Sequence, residues 1–148
     1  MPQYGSAFSK TSLTSIATLI QLYEPAANMR RGFLNDILVG TNVAPADQAS
    51  EADLVRSEVI PSGGSAGTTA PYDVADVTAL ILTHLNGTSA VLTPVLLRIP
   101  FNMRATQRWV AQPGKPFVVP ATANYGLALR GVVIGAAVTM DGSLGWEE

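Results

Sequence analysis

Short runs of β-branched and aliphatic residues, separated by turn-forming residues, recur along the whole chain. Ten prolines and thirteen glycines are spread through the 148 residues, and few segments keep apolar side chains at helical spacing for a dozen residues. Proline and glycine interrupt helices, whereas Val, Ile and Thr fit a pleated, half-buried surface. The pattern therefore predicts an all-β chain, folded as a sandwich or a barrel.

Counting these runs predicts about eight short strands. They lie at residues 15–23, 32–40, 53–60, 77–85, 95–101, 105–111, 117–119 and 125–140, the last as one interrupted strand or as two. Alternation along the fifth run places Arg98 outward and, on the inner face, Val95, Leu97, Ile99 and Phe101.

The first run allows two interpretations. It could be a short helix capped by Ser12, but β-branched residues at alternate positions favour a strand. As a strand it would present on one face Ile16, Thr18, Ile20 and Leu22.

Turn-forming residues predict where the chain reverses. Asn86-Gly87 predicts a two-residue hairpin between residues 77–85 and 89–92, because both positions of that turn need positive φ. Residues 102–104 predict a second short hairpin connection, and further turns are predicted at Pro45 with Asp47, at residues 112–115 and at Asp141-Gly142. The Gly-, Ser- and Thr-rich segment 61–71 has no large apolar side chain, so we expect a mobile loop there.

These elements favour a jelly-roll-like antiparallel β-sandwich of about eight strands with an extended N-terminal segment. Residues 1–31 would form an N-terminal arm or a first strand, because they begin polar and precede the clear strand rhythm. Residues 32–148 would form the sandwich domain.

The charged fraction is low. Only 14% of the residues are charged and 47% are hydrophobic, whereas soluble domains average about 25% charged residues. Interface centres are depleted of charge, so an oligomer explains this composition economically. A compact monomer with a surface rich in Ser, Thr and Ala is the alternative.

Few residues are suited to chemistry. Cysteine is absent and His84 is the single histidine, whereas zinc sites and Ser-His-Asp triads need more such groups. The acids Asp47, Glu51 and Asp53 lack the spacing of a calcium loop, and no Gly-Lys-Ser/Thr follows the glycines of residues 63–67. We therefore expect a non-enzymatic protein without a cofactor.

Membrane and nucleic-acid roles are not expected either. The apolar runs are far shorter than the roughly 20 residues of a membrane-spanning helix, and residues 1–10 do not resemble a secretory signal. The net charge is −2 and the Lys and Arg residues are scattered, unlike the basic patch of a nucleic-acid-binding protein. The lack of cysteine fits assembly in a cytoplasm.

Two segments resemble small proteins encoded among the head genes of tailed bacteriophages. They are residues 29–56, which begin MRRGFL, and residues 98–130, in which RATQRWVAQPG and PATANYG are the most similar parts. The resemblance covers about half of the chain. It implies a structural virion protein with a sandwich fold, located on the capsid surface as a decoration (cement) protein or acting as a head-tail accessory.

The resemblance also implies the major capsid protein as partner and a homotrimer as the assembly. Candidate contacts with acidic capsid loops are Arg30, Arg31 and Arg104, and Trp109 is expected in the core or at a subunit seam. A carbohydrate- or receptor-binding β-sandwich module of a virion is the alternative, although the sequence has few aromatic residues for a sugar site.

Overall fold

The computed structural model describes residues 1–25, 30–42, 46–88, 92–133 and 137–148, which form β-strands joined by turns and loops. In chain order the strands are β1 (Gln3–Leu13), β2 (Ala17–Tyr23), β3 (Gly32–Asn42), β4 (Ala49–Ser57), β5 (Ser65–Ala66), β6 (Ala70–Pro71), β7 (Leu82–Leu85), β8 (Leu92–Asn102), β9 (Gln107–Val110), β10 (Phe117–Val119), β11 (Gly126–Val133) and β12 (Val138–Glu147). The predicted all-β class is confirmed.

The strands form two antiparallel sheets with jelly-roll topology. The front sheet has the order β10-β3-β12-β1-β6, with β9 also paired to β3, and the back sheet has the order β5-β7-β2-β11-β4-β8. Each sheet has four main strands, in the order β1-β12-β3-β9 in the front sheet and β2-β11-β4-β8 in the back sheet. Along the chain, most connections between these eight strands therefore lead from one sheet to the other. Eight strands wound between two sheets in this way are a jelly roll, as predicted.

Alternating apolar residues on the inner faces of both sheets build one core. In the front sheet Tyr4 pairs with Trp146, and their rings stack with centroids 6.1 Å apart. The back sheet contributes fully buried Leu54, Leu127 and Leu129. Trp109, expected in the core or at a seam, is half-buried and lies against Phe117, with ring centroids 5.1 Å apart.

Residues 3–13 and 17–23 of the predicted N-terminal segment form two strands of the sandwich. Of the two alternatives, arm or strand, the structure has strands. β1 pairs with β12 from Gln3 opposite Glu147 to Leu13 opposite Val138, and β2 pairs with β7 and β11. Thr18, Ile20 and Leu22 are buried, whereas Ile16 lies before β2 and is 58% exposed. β2 therefore begins two residues later than the predicted run 15–23 and does not include Ile16.

The segment between β4 and β8 extends both sheets at the same side of the sandwich. β6 pairs with β1, β7 pairs with β2, and β5 pairs with β7. Ser62 also forms a bridge with Thr88. Residues 61–71, expected as a mobile loop without an anchor, are therefore held by backbone pairing, which needs no large side chain.

The hairpin predicted at Asn86-Gly87 is wrong. Asn86 has positive φ (57°), but β7 and β8 lie on opposite sides of the back sheet and do not pair. Thr88 pairs with Ser62 instead. Residues 89–91, which were expected in the returning strand, lie outside the described residues.

Two other turn predictions also fail. Residues 102–104 make a turn, but β8 belongs to the back sheet and β9 to the front sheet, so the turn is a corner between sheets. Asp141 and Gly142 lie within β12, where they pair with Gly40 and Val39.

Other local predictions hold. The turn at residues 112–115 is present, with the Lys115 N–H donating to the Gln112 carbonyl at 2.9 Å. Ile99 and Phe101 are buried and Arg98 is exposed, as alternation along β8 requires. The turn proline Pro45 and the residues 134–136 of the last predicted run lie outside the described residues.

Hydrogen bonds to Glu148 anchor the segment that leads into β7. Its side chain is 5% exposed, and its two oxygens accept hydrogen bonds from the backbone N–H groups of Leu80 (2.9 Å) and Ile81 (3.3 Å). Ile81 is fully buried and lies against Gly32, where an added Cβ would clash with its Cδ1. One carboxylate thus joins the end of β12 to the 58–88 segment.

Glu148→Ala should lower the free energy of unfolding by about 2 kcal/mol, because it leaves two backbone donors without their acceptor. The measurement is urea denaturation at neutral pH. Glu147→Ala is the matched control, since Glu147 accepts from the exposed Gln3 amide and the part-buried Asn35 amide, and it should change stability less. Equal losses in both variants would contradict this role of Glu148.

Candidate functional site

Small side chains make up much of the outer face of the front sheet. Opposed residues point to the same side of a sheet, and along β1 and β12 the central outer pairs are Gly5 with Gly145 and Ala7 with Ser143, flanked by Gln3 with Glu147 and by Ser9 with Asp141. Leu38 of β3 continues the row of Ala7 and Ser143. Gly5, Ala7 and Ser143 line a shallow recess of about 460 Å³, and the centre of this face has few long flexible side chains to immobilise on contact.

The aromatic ring of Tyr72 lies over this face. A Cβ added at Gly5 would be 2.7 Å from Cε1 of Tyr72, and one added at Gly145 would be 2.8 Å from its hydroxyl oxygen. The two glycines are therefore what allows the ring to approach the sheet. Tyr72 remains 63% exposed, and partial burial followed by the charge of Asp36 raises the pKa of its hydroxyl.

The charges beside the ring compensate each other. Arg108 donates from Nε to Oδ1 of Asp36 at 2.9 Å and from Nη2 to Oδ2 at 2.7 Å, in a fork-like pair. The hydrogen bond to Asp36 raises the pKa of the guanidinium further above its ordinary value. This pair therefore adds no net charge to the outer face. We call this outer face the front face and define it by the residues Gly5, Ala7, Leu38, Ser143 and Gly145.

A turn beyond Tyr72 exposes further apolar side chains. Val74 is 97% exposed and Val77 is 63% exposed. The turn is fixed by its own hydrogen bonds: Asp73 accepts from the Ala75 N–H at 2.9 Å, and its carbonyl accepts from the Asp76 N–H at 3.0 Å. We call residues 72–77 the knob.

The back sheet has a charged cluster on its outer side. Asp53 is 2% exposed, and one of its oxygens accepts hydrogen bonds from Arg130, the shorter at 2.9 Å. Arg98, with a side chain 63% exposed, lies 3.5 Å from Glu51. Burial is the main cause that raises the pKa of Glu51, and neighbouring Asp53 adds to it. Paired charges of this kind suit a structural role in the sheet.

A second acidic group is buried at one end of the sandwich. Glu24 is 0% exposed, and its Oε1 accepts from the Arg30 N–H at 3.0 Å. Its Oε2 has no hydrogen-bond partner among the described residues. Burial raises the pKa of Glu24 to about 6, with a smaller contribution from the charge of Glu148. Burial also raises the pKa of Glu148.

The predicted contact residues do not form one patch. Arg30 and Arg31 are exposed just before β3 begins. Arg104 is exposed in the corner after β8, where the neighbouring Met103 carbonyl accepts from Thr41 near the end of β3. The two arginine positions thus lie at opposite ends of β3, and the half-buried Trp109 lies between them along the sheet.

The knob and Tyr72 were not among the predicted site residues. The sequence placed Val77 at the start of a strand, but β7 begins only at Leu82. Val74 and Val77, each directly after an aspartate, were a usable signal, because apolar residues in an otherwise polar turn have no core to join.

No family model, curated protein or solved structure matches this chain.

Within the described ranges, no three His, Cys, Asp or Glu side chains group in a way that could hold a metal ion. His84 contacts the Gly63 carbonyl through its ring nitrogen, within the 58–88 segment. No helix in the described part of the chain is long and apolar enough to cross a bilayer. The candidate site is the surface formed by the front face and the knob, whose first residue is Tyr72.

Glu24 predicts a specific pH dependence of stability. Its pKa in the folded state, about 6, lies above its ordinary value, so the folded chain binds this proton more tightly than the unfolded chain. This contribution to stability therefore increases as the pH falls through 6 towards 4.5, by at most about 2 kcal/mol.

Comparison of the wild type with Glu24→Gln isolates this contribution, because the other acids titrate in both proteins. The melting temperature of the wild type should rise relative to that of the variant between pH 7.5 and pH 5. A difference between the two proteins that is constant over this range would show that Glu24 does not titrate as its burial requires.

Proposed function

We propose that this chain is a structural virion protein that decorates and stabilises the mature head of a tailed bacteriophage. The observation that carries the proposal is the centre of the front face, where Ala7 and Ser143 are small and the charges of Arg108 and Asp36 neutralise each other. Jelly rolls are frequent in viral capsid proteins, and this topology agrees with the resemblance of residues 98–130 to phage head proteins.

The front face suits contact with a broad protein surface. Ala7 and Ser143 leave the strands close to a docking partner, and small side chains lose little conformational freedom on binding. The exposed ring of Tyr72 adds one rigid aromatic group of the type that dominates binding energy in interfaces. We therefore assign the front face to the major capsid protein.

Stabilisation of the shell follows from mass action. A protein that binds the mature lattice and not its precursor shifts the equilibrium towards the mature form by its binding free energy. No covalent chemistry is needed. The folded sandwich would bind across neighbouring capsid subunits and hold them together.

The alternative is a carbohydrate-binding role, and Tyr72 is the observation that favours it. Sugar sites combine an exposed aromatic ring with carboxylate or amide groups, and the Tyr72 hydroxyl lies near Asp36 and Asn35 around Gly145. Binding of the wild type, but not of Tyr72→Ala, to a glycan array without attachment to phage shells would favour this role over decoration.

Ala7→Arg should abolish attachment of the purified protein to expanded phage shells that lack it, because a long charged side chain would hold the front face away from the shell. Ala7 is exposed and small, so the fold should tolerate the change. The measurement is saturable co-sedimentation with shells.

Ala121→Arg is the matched control, with the same substitution at an exposed position after Pro120. It should bind like the wild type. Attachment of Ala7→Arg at wild-type affinity would exclude the front face as the contact surface, and failure of the wild type to attach would contradict the decoration role. Attachment to tail-proximal parts alone would indicate a head-tail accessory instead.

A further inference from the structure

The knob carries apolar side chains that the described part of its own chain leaves largely uncovered. Val74 is 97% exposed at its tip, and the hydrogen bonds of Asp73 hold the turn in one shape. The Tyr72 N–H also donates to the Gln3 carbonyl at 2.8 Å, which ties the knob to the edge of the front sheet. A rigid, exposed apolar group loses little entropy when a partner buries it.

An apolar cleft lies at the other edge of the same sheet. Its volume is about 330 Å³, and its walls include Phe33 of β3 and Ala111, Pro113 and Pro116 of the segment that joins β9 to β10. That segment is fixed by the Lys115-to-Gln112 hydrogen bond. We call this recess the Phe33 cleft.

The charges around the knob and the cleft are complementary. Asp73 and Asp76 each precede a valine of the knob, whereas the exposed Lys115 lies in sequence between Gly114 and Pro116, which line the cleft. Glu147 also lines the cleft, but its Oε1 already accepts hydrogen bonds from the Gln3 and Asn35 amides. Opposite charges at the rim steer and orient an apolar contact.

The two features lie far enough apart for one copy to contact two neighbours. The knob follows β6 at one edge of the front sheet, and the cleft lies beside β10 and β3 at the other. Copies that each use the knob towards one neighbour and the cleft towards another join head to tail and close into a ring when the rotation between copies permits, whereas a two-fold dimer would use both features of both copies at once.

We propose that the knob of one copy binds in the Phe33 cleft of the next, so that copies of this chain join head to tail in a closed ring. This contact buries Val74 and Val77, and it brings Asp73 or Asp76 of one copy to Lys115 of its neighbour. The ring requires no shell and therefore stands apart from the proposed decoration function.

Light scattering on three single variants tests the contact. Val74→Asp and Phe33→Asp should each convert the wild-type ring to monomers, because each places an unpaired carboxylate in the joint. Ile16→Asp, at an apolar position with 58% exposure away from both features, should remain a ring. Circular dichroism melts verify folding, and Pro113→Asp replaces Phe33→Asp if the latter does not fold.

Mixing the two disrupted proteins is the decisive step. Val74→Asp keeps an intact cleft and Phe33→Asp keeps an intact knob, so an equimolar mixture should form a heterodimer with one joint and no larger ring. A monomeric wild type, a wild-type-sized ring of Val74→Asp, or a mixture that stays monomeric would each overturn the proposal. A Val74→Asp ring that fails only in shell attachment would show that the knob contacts the shell instead.

Discussion

The pairing of β1 with β12 is the constraint on which the rest of this structure depends. These strands come from opposite ends of the described chain, and they lie side by side in the middle of the front sheet. Their pairing places Gly5 beside Gly145 on the outside and Tyr4 beside Trp146 on the inside. The glycine pair receives Tyr72, and the aromatic pair fills the core. Such non-local pairing closes a long loop, so we expect slow folding relative to helical domains of this size.

The pairing of β1 with β12 also determines where the knob, the front face and the Phe33 cleft lie. β6 joins the free side of β1 and carries the knob, while β3 lies on the other side of β12 and forms one wall of the Phe33 cleft. The front face lies between them. The proposed surfaces, one for the shell and two edges for neighbouring copies, would account for the low charged fraction of 14%, because the centres of interfaces are depleted of charge.

The sequence predicted the number and place of most main strands, because alternating apolar residues and turn formers report local conformation. It did not predict which strands pair. Asn86-Gly87 and residues 102–104 bend the chain as their residue types require, but the following strand joins a different neighbour, which only the packing of the whole core determines. Asp141 and Gly142 were misread for a related reason: the partners Gly40 and Val39 are about a hundred residues away.

The candidate site was less predictable than the fold. Arg30, Arg31 and Arg104 are exposed as expected of contact residues, but the sequence could not indicate that they lie at opposite ends of β3. Small residues such as Gly5, Ala7, Ser143 and Gly145 carry no chemical signature, and they become a surface only when β1 and β12 pair. The buried Glu24 gave no signal either, since its neighbour Glu148 is more than a hundred positions away.

Electron cryo-microscopy of expanded phage shells incubated with the purified protein tests the central claim most directly. The account predicts added density in which the sandwich can be placed with the front face, around Ala7 and Ser143, against the capsid subunits. Density that contacts the shell through the back sheet, around Arg98 and Arg130, or shells without added density, would contradict it.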